Sequence, residues 1–185
     1  MKKLKEILIM IPDDRYFIQS LAIKFFCDIL SIPSRILPCS LTGCLVGGEI
    51  KDGKKEELKN MTGNRLIVCL KGNAFFDPKN MELIFEPKRI MKFKFMLKFK
   101  KMWFGLCDSE EKIIILFMDV IEKRNASALN VFIHELLHLK RKGKDCNYPG
   151  CMGSGVYTGK NRIEQGLCEE CRKILMKDIP KMFER

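Results

Sequence analysis

The sequence predicts an α/β protein folded as a single domain over residues 1–185, and three observations carry this prediction. Apolar runs of strand length precede an apolar-periodic helix, and a loop-rich segment with four paired cysteines follows that helix. A chain of 185 residues is long enough for one hydrophobic core and short for two. Its 46% of apolar and 31% of charged residues are typical of a globular protein in water.

The first part of the chain contains two predicted strands and one helix. Residues 4 to 11 form an apolar run of strand length, and RLIVCL, 65–70, is a second run, predicted as a central strand. The turn-rich residues 43–55 between them are expected to form a loop. A helix over Phe17–Leu30 is predicted from the helical spacing of Ile18, Leu21, Ala22, Phe25 and Ile29.

The second part of the chain contains a predicted hairpin and two further helices. FFDPKNMELIF, 75–85, breaks at Pro78 and resumes as a strand, and MWFGLC and KIIILFM, joined by DSEE, predict a hairpin. The helix that carries HELLH, 134–138, is expected to begin at Asn125 or Ser127 and to run to about Lys142, where Gly143 ends it. A last helix is predicted over about 169–177, after the final cysteine pair.

The formal net charge of +11 is large, and much of it lies in one stretch. Between Glu86 and Asp108 there are seven basic residues and no acidic ones: Lys88, Arg89, Lys92, Lys94, Lys98, Lys100 and Lys101. Within it KFKFMLKFK alternates lysine with apolar residues, which favours an amphipathic strand with its lysines in water. The alternative is a basic surface for nucleic acid or an acidic partner, which the sequence allows but does not favour.

The cysteines and the apolar runs indicate a reducing compartment. ILIMI, 7–11, is too short for the apolar core of a signal peptide, and no segment approaches the length needed to cross a bilayer. We therefore expect a cytoplasmic protein with no membrane partner, in which the nine cysteines are buried thiols or metal ligands. Five of them are expected to be structural: Cys27, Cys69 and Cys107, isolated among apolar residues, and Cys39 and Cys44 in CSLTGC.

The HELLH segment has the residue types and the spacing of a catalytic zinc site. Residues four apart share a helix face, so His134 and His138 can bind one ion, and Glu135 can reach a water on that ion without being a ligand. Zinc lowers the pKa of such a water from about 16 toward about 7, and the glutamate accepts its proton during attack on a carbonyl. Such motifs also occur by chance, but two histidines in an otherwise apolar helix favour a metal because unpaired polar burial is costly.

Four cysteines follow this helix with the spacing of a second zinc site. Cys146 and Cys151 are separated by four residues and Cys168 and Cys171 by two, which suits tetrahedral coordination by four thiolates. Pro149-Gly150 and Gly166 provide tight turns rather than core helix positions. The segment therefore predicts a structural zinc, and with the HELLH site two zinc ions per chain.

A HExxH helix that runs directly into a four-cysteine module resembles the archaemetzincins, a family of zinc metalloproteases. The family pattern is HExxHxxGxxHC, then C, a nearby methionine and CxxC, and it is met, with small shifts, by His134, Glu135, His138, Cys146, Cys151, Met152, Cys168 and Cys171. The resemblance is specific in the C-terminal half and hardly covers the first 64 residues. It implies a metzincin-like twisted mixed sheet with an active-site helix, a turn with Met152 under the metal, and a small C-terminal cysteine zinc module at 145–175. It also implies that the strand at 112–118 is an edge strand that binds the substrate.

The sequence departs from this pattern at the third ligand. At the family spacing the glycine position is Arg141 and the third histidine position is Lys144, and a protonated lysine is a poor ligand. Asp145, directly before Cys146, is the favoured third ligand because aspartate binds zinc well. The alternatives are a two-histidine site completed by water and a site that no longer holds catalytic metal.

The sequence therefore predicts a zinc-dependent metallopeptidase that acts on peptides or small polypeptides, with Glu135 as the general base. The alternative is a non-catalytic zinc protein whose cysteine site and basic stretch bind nucleic acid or protein. The two differ in their dependence on Glu135 and in the sensitivity of their binding to salt.

Overall fold

The structure is a computed structural model, and it describes residues 3–11, 14–38, 64–71, 104–109, 112–154 and 166–183. Its described strands form one mixed sheet in the order β2-β1-β3-β5-β4. They are β1 (Ile7–Ile11), β2 (Ser34–Pro38), β3 (Leu66–Lys71), β4 (Gly105–Asp108) and β5 (Ile113–Phe117). Neighbouring strands are parallel except for β4, which pairs antiparallel with β5.

The centre of the sheet consists of β1 and β3, whose side chains are buried on both faces. Ile9 pairs with Val68, and both are fully buried. Leu8 and Met10, which point to the other face of β1, are equally buried. Strands buried on both faces have continuous apolar sequences, which is why ILIMI and LIVCL lack the alternation of a half-exposed strand. The prediction that RLIVCL forms a central strand is confirmed.

The described helices are α1 (Phe17–Ile29), α2 (Met118–Lys123), α3 (Ala128–Arg141) and α4 (Glu169–Lys173). A short 3-10 turn precedes α1, and a π-helical turn (Ile174–Asp178) and a 3-10 turn (Pro180–Met182) follow α4. Helix α1 packs on β1 and β2, and α3 packs on β4 and β5. The two helices meet where the rings of Phe26 and Phe132 pack edge to face, with centroids 6.4 Å apart. None of the helices in the described residues is long and apolar enough to cross a membrane.

Helix α1 does not bury the side that carries the apolar residues from which the helix is predicted. It buries a different side. Ser20, Ile23 and Cys27 are fully buried, whereas all five residues that indicate the helix are exposed: Ile18, Leu21, Ala22, Phe25 and Ile29. Both sides of this helix contain large apolar residues, so periodicity predicts its existence but not its orientation.

The predicted hairpin is confirmed, but the predicted edge strand is wrong. Leu106 pairs with Ile115 in an antiparallel ladder between β4 and β5. Strand β5 also pairs in parallel with β3, so residues 112–118 have neighbours on both sides. Among the described strands, the edge next to α3 is β4. Met118 begins α2 instead of ending the strand.

An ion-pair cluster ties the starts of three strands together. The carboxylate of Glu6 accepts hydrogen bonds from Arg35 Nε at 2.9 Å and from Arg65 Nε at 2.8 Å. Burial raises the pKa of Glu6, but the hydrogen bonds and charges of Arg65 and Arg35 outweigh this effect and hold the pKa below its usual value.

Several predicted features lie outside the described residues. They are the loop at 43–55, the strand after Pro78, the basic stretch at 88–101, Cys39 and Cys44. Cys27 and Cys69 are buried, as expected of small core residues, and Cys107 is half-buried.

Candidate metal centres

Two local features define the ends of α3 and thereby position its histidines. At the start, the side-chain oxygen of Ser127 accepts a hydrogen bond from the Asn130 amide at 3.3 Å. At the end, Lys142 takes a left-handed conformation with φ of 51°, and Gly143 follows with φ of 76°. Arg141 is the last residue of the helix, and the chain reverses immediately afterwards.

This reversal brings Asp145 back to the two histidines. His134 Nε2 and His138 Nε2 are 3.0 Å apart, and Asp145 Oδ1 lies 3.6 Å from the first and 3.4 Å from the second. Ligands at about 2.0–2.1 Å from a tetrahedral zinc are about 3.3–3.4 Å from one another. The three donor atoms are thus separated as zinc requires, and they can hold one such ion.

Hydrogen bonding orients one histidine, and burial keeps the other neutral. His134 Nδ1 lies 3.0 Å from the carbonyl oxygen of Met152, which can only accept, so Nδ1 carries a proton and Nε2 is the nitrogen that can bind a metal ion. Burial, assisted by the neighbouring His134, lowers the pKa of His138 to about 4. His138 therefore does not have to lose a proton at neutral pH before it binds a metal ion.

Glu135 lies on the same helix and is only 5% exposed. Burial, with the negative charge of Asp145 adding to it, raises the pKa of this carboxyl group to about 8. A carboxylic acid this strongly perturbed beside two histidines is typical of an acid–base catalyst rather than of a surface glutamate. Asp145 is 53% exposed, so the group opens to solvent on the aspartate side.

The four cysteines form a second group of possible metal ligands, separate from the histidines. All four sulfur atoms lie within 4.8 Å of one another, and the sulfurs of Cys146 and Cys168 are 3.7 Å apart. Thiolates at about 2.3 Å from a tetrahedral zinc are about 3.8 Å apart, so the separation of the Cys146 and Cys168 sulfurs matches that of two zinc ligands. The amides of Gly153 and Cys168 point at the sulfur of Cys151, at 3.3 and 3.4 Å. These two amides orient the sulfur of Cys151 within the group.

The two groups share one loop. Asp145 and Cys146 are neighbours in the chain, and the Cys146 amide donates to the Gly153 carbonyl at 2.7 Å. Met152, directly before Gly153, supplies the carbonyl that orients His134. The methionine expected under the metal therefore contacts the histidine through its backbone. Fixing the cysteines fixes both Asp145 and Met152.

All the residues predicted to form the two sites are described, and they fall into the two expected groups. Sequence reasoning missed Gly105 and Gly153, at which an added Cβ would lie within 3.0 Å of Glu135 and Cys171 respectively. It also missed the pairing of Arg141 with Glu170, whose NH2 and Oε1 atoms are 2.9 Å apart. These glycines are required by residues that are close in space but distant in the chain, so no spacing pattern in the sequence identifies them.

The fold is similar to that of a known zinc enzyme. No protein-family model matches the sequence, and no curated protein matches it significantly. Among solved structures, a zinc-dependent peptidase from Methanocorpusculum labreanum (strain Z) matches with a TM-score of 0.50 and 14% sequence identity. The match covers 91% of this chain and 99% of that chain. The chain thus has a zinc-peptidase-like mixed α/β fold with a four-cysteine cluster near its C-terminus.

Proposed function

We propose that this protein is a zinc-dependent metallopeptidase of the archaemetzincin type. In this proposal His134, His138 and Asp145 hold a catalytic zinc, and the four cysteines hold a structural zinc. The observation that carries the proposal is the triangle of donor atoms on His134, His138 and Asp145, with sides of 3.0, 3.4 and 3.6 Å and a buried glutamate beside it. The chemistry of this donor set, two imidazoles and one carboxylate, is that of catalytic zinc sites.

The side chains of this site divide the work of peptide hydrolysis. When bound, the ion supplies a Lewis acid that acidifies the attacking water and polarises the scissile carbonyl. Glu135 accepts the proton of that water and passes it to the leaving amine. A nearby divalent cation favours the charged form of Glu135, so its pKa is lower with metal bound than the value of about 8 in the metal-free chain.

An aspartate in place of the third histidine lowers the Lewis acidity that a bound ion would have. A carboxylate neutralises part of the charge of the ion, so a water molecule at the site is less acidic than with three imidazoles. The rising limb of the pH–activity profile is therefore expected at higher pH than in a relative with three histidine ligands. Asp145→His should move the rising limb of the pH profile to lower pH.

An extended peptide is the proposed substrate. Strand β4 packs on α3, which carries Glu135. Main-chain hydrogen bonds to a strand bind such a peptide without demanding particular side chains. The free thiols of the cysteine group suit a reducing compartment, and we assign the activity to the cytoplasm.

Zinc content and peptide hydrolysis, measured together, test this proposal. Wild type should hold two zinc ions and cleave a mixture of peptides, and a chelator should stop cleavage. Glu135→Ala should keep both ions and lose hydrolysis, and Asp145→Ala should lose one ion. Asp28→Ala, which removes an exposed carboxylate paired with Lys24, is the matched control and should change neither. Unchanged zinc content and activity in Asp145→Ala would remove Asp145 from the site, and retained activity in Glu135→Ala would remove Glu135 from the mechanism.

A further inference from the structure

Gly105, the first residue of β4, lies against the side chain of Glu135. It pairs with Leu116, whose side chain lies in the core with the helices, so a side chain at position 105 would point toward α3. A Cβ atom added there would lie 2.8 Å from both Cγ and Oε1 of Glu135 and 3.0 Å from Cγ1 of Val131. These distances are shorter than real Cβ contacts allow, so the space is already filled by the glutamate.

The backbone conformation does not demand glycine at this position. The described glycines with positive φ are Gly143 and Gly150, and Gly105 is not among them. An alanine could adopt the strand conformation of β4 without strain. The side chain of Glu135 excludes an alanine, because it already occupies the space of the added Cβ atom. The requirement for glycine therefore comes from the glutamate and not from the conformation of the strand.

The contact limits the positions that the glutamate can take. The side chain of Glu135 is long and has rotatable bonds. Two neighbours limit its movement: Val131, which lies one turn earlier on α3, and the backbone at Gly105. The carboxyl oxygen that touches the Gly105 position belongs to the proposed proton acceptor. The close approach of the strand thus fixes this oxygen relative to the helix that carries the histidines.

We propose that Gly105 is a positioning residue for Glu135: the missing side chain lets the β4 backbone hold the carboxyl group in its catalytic position. This inference rests on the proposed peptidase function. An alanine at position 105 is accommodated by turning the flexible glutamate away, because the strand and the helix are both held in the core. Gly105→Ala should therefore fold and hold two zinc ions, with the carboxyl group displaced by a fraction of an ångström to one ångström.

Steady-state kinetics test the positioning role. A displacement of about 1 Å costs on the order of 100-fold in rate, so kcat of Gly105→Ala should fall by about that factor while KM and zinc content stay close to wild type. A purely structural role would lower the amount of folded enzyme but not kcat per zinc-loaded molecule. Gly166→Ala is the matched control, because Gly166 is exposed and an added methyl group would meet nothing within 4 Å in the described part of the chain. Wild-type kcat in Gly105→Ala overturns the proposal.

A double-variant cycle on thermal stability tests the contact without any enzymatic assay. Gly105→Ala should lower the melting temperature by about 5 °C in the wild-type chain, and by clearly less in a Glu135→Ala background, where most of the overlap is gone. Equal shifts in both backgrounds overturn the contact. If Gly105→Ala does not fold, the same comparison is made in a Val131→Ala background, which frees space on the other side. If wild type cleaves no peptide but the shifts are unequal, the peptidase function fails while the contact stands.

Discussion

Replacing Gly153 by alanine should weaken the binding of zinc at the four-cysteine site. A Cβ atom at this position would lie 2.9 Å from the sulfur of Cys171, 3.1 Å from Cδ1 of Leu137 and 3.3 Å from Cβ of Cys146. The contact with the sulfur is about 0.5 Å shorter than the 3.4 Å at which ordinary contact begins. The neighbours are a proposed ligand, a core leucine and a second proposed ligand, and none of them can move without disturbing either the sulfur tetrahedron or the core.

The size of the effect follows from the cost of overpacking. Extra methyl groups in a packed interior cost about 1–3 kcal/mol. If this cost falls on the zinc-bound arrangement of sulfurs, the affinity for zinc drops by about 5- to 150-fold, since 1.4 kcal/mol is a factor of ten. The shared loop extends the effect to the histidine site, because the carbonyl of Met152, directly before Gly153, orients His134.

Competition with a chromophoric chelator measures this loss. Purified wild type, Gly153→Ala and Gly166→Ala are titrated with the chelator, and the transfer of zinc is followed by absorbance. Gly166→Ala should behave as wild type, because an added methyl group there meets no atom of the described residues within 4 Å. If Gly153→Ala holds both zinc ions as tightly as wild type, the four sulfurs do not surround a metal ion in the manner described above.

Three further predictions concern the fold that supports the site. Ser127→Ala removes the helix cap of α3 and should cost about 1 kcal/mol in the free energy of unfolding, measured by denaturant titration. Ile23→Ala, at a fully buried position, should cost about 2–4 kcal/mol, whereas Ile18→Ala, at 76% exposure, should cost less than about 0.5 kcal/mol; equal costs would mean that α1 buries its other side. Glu6→Gln should cost about 1.5–3 kcal/mol at pH 7. Because the pKa of folded Glu6 lies below the usual 4.5, its stabilisation is full above pH 4.5 and is lost as pH falls through the folded value, so the variant should lack that part of the acid sensitivity.

The helix with the metal motif could be predicted from the sequence because every signal for it is local. The cap at Ser127, the apolar periodicity and the stop before Gly143 all lie within the segment itself. The four-cysteine group could be predicted for the same reason, since its ligands come in two short pairs with fixed spacing.

The order of the strands could not be predicted in the same way. Strand β2 follows Pro33 and ends at Pro38, and these prolines weaken its strand signal. The pairing of β5 with both β3 and β4 depends in part on residues far apart in the chain. The position of Asp145 depends on where α3 ends. In the structure the helix runs through Arg141, and the left-handed residue is Lys142. Nothing in the residue types alone distinguishes this solution from a longer loop.

An anomalous-difference map recorded at the zinc edge tests the central claim most directly. We predict two peaks in a crystal of the zinc-loaded protein. One should lie among the four cysteine sulfurs, and the other about 2.0–2.2 Å from His134 Nε2, His138 Nε2 and an Asp145 carboxylate oxygen. A single peak at the cysteines, or a second peak that Asp145 does not contact, would contradict the proposed catalytic site.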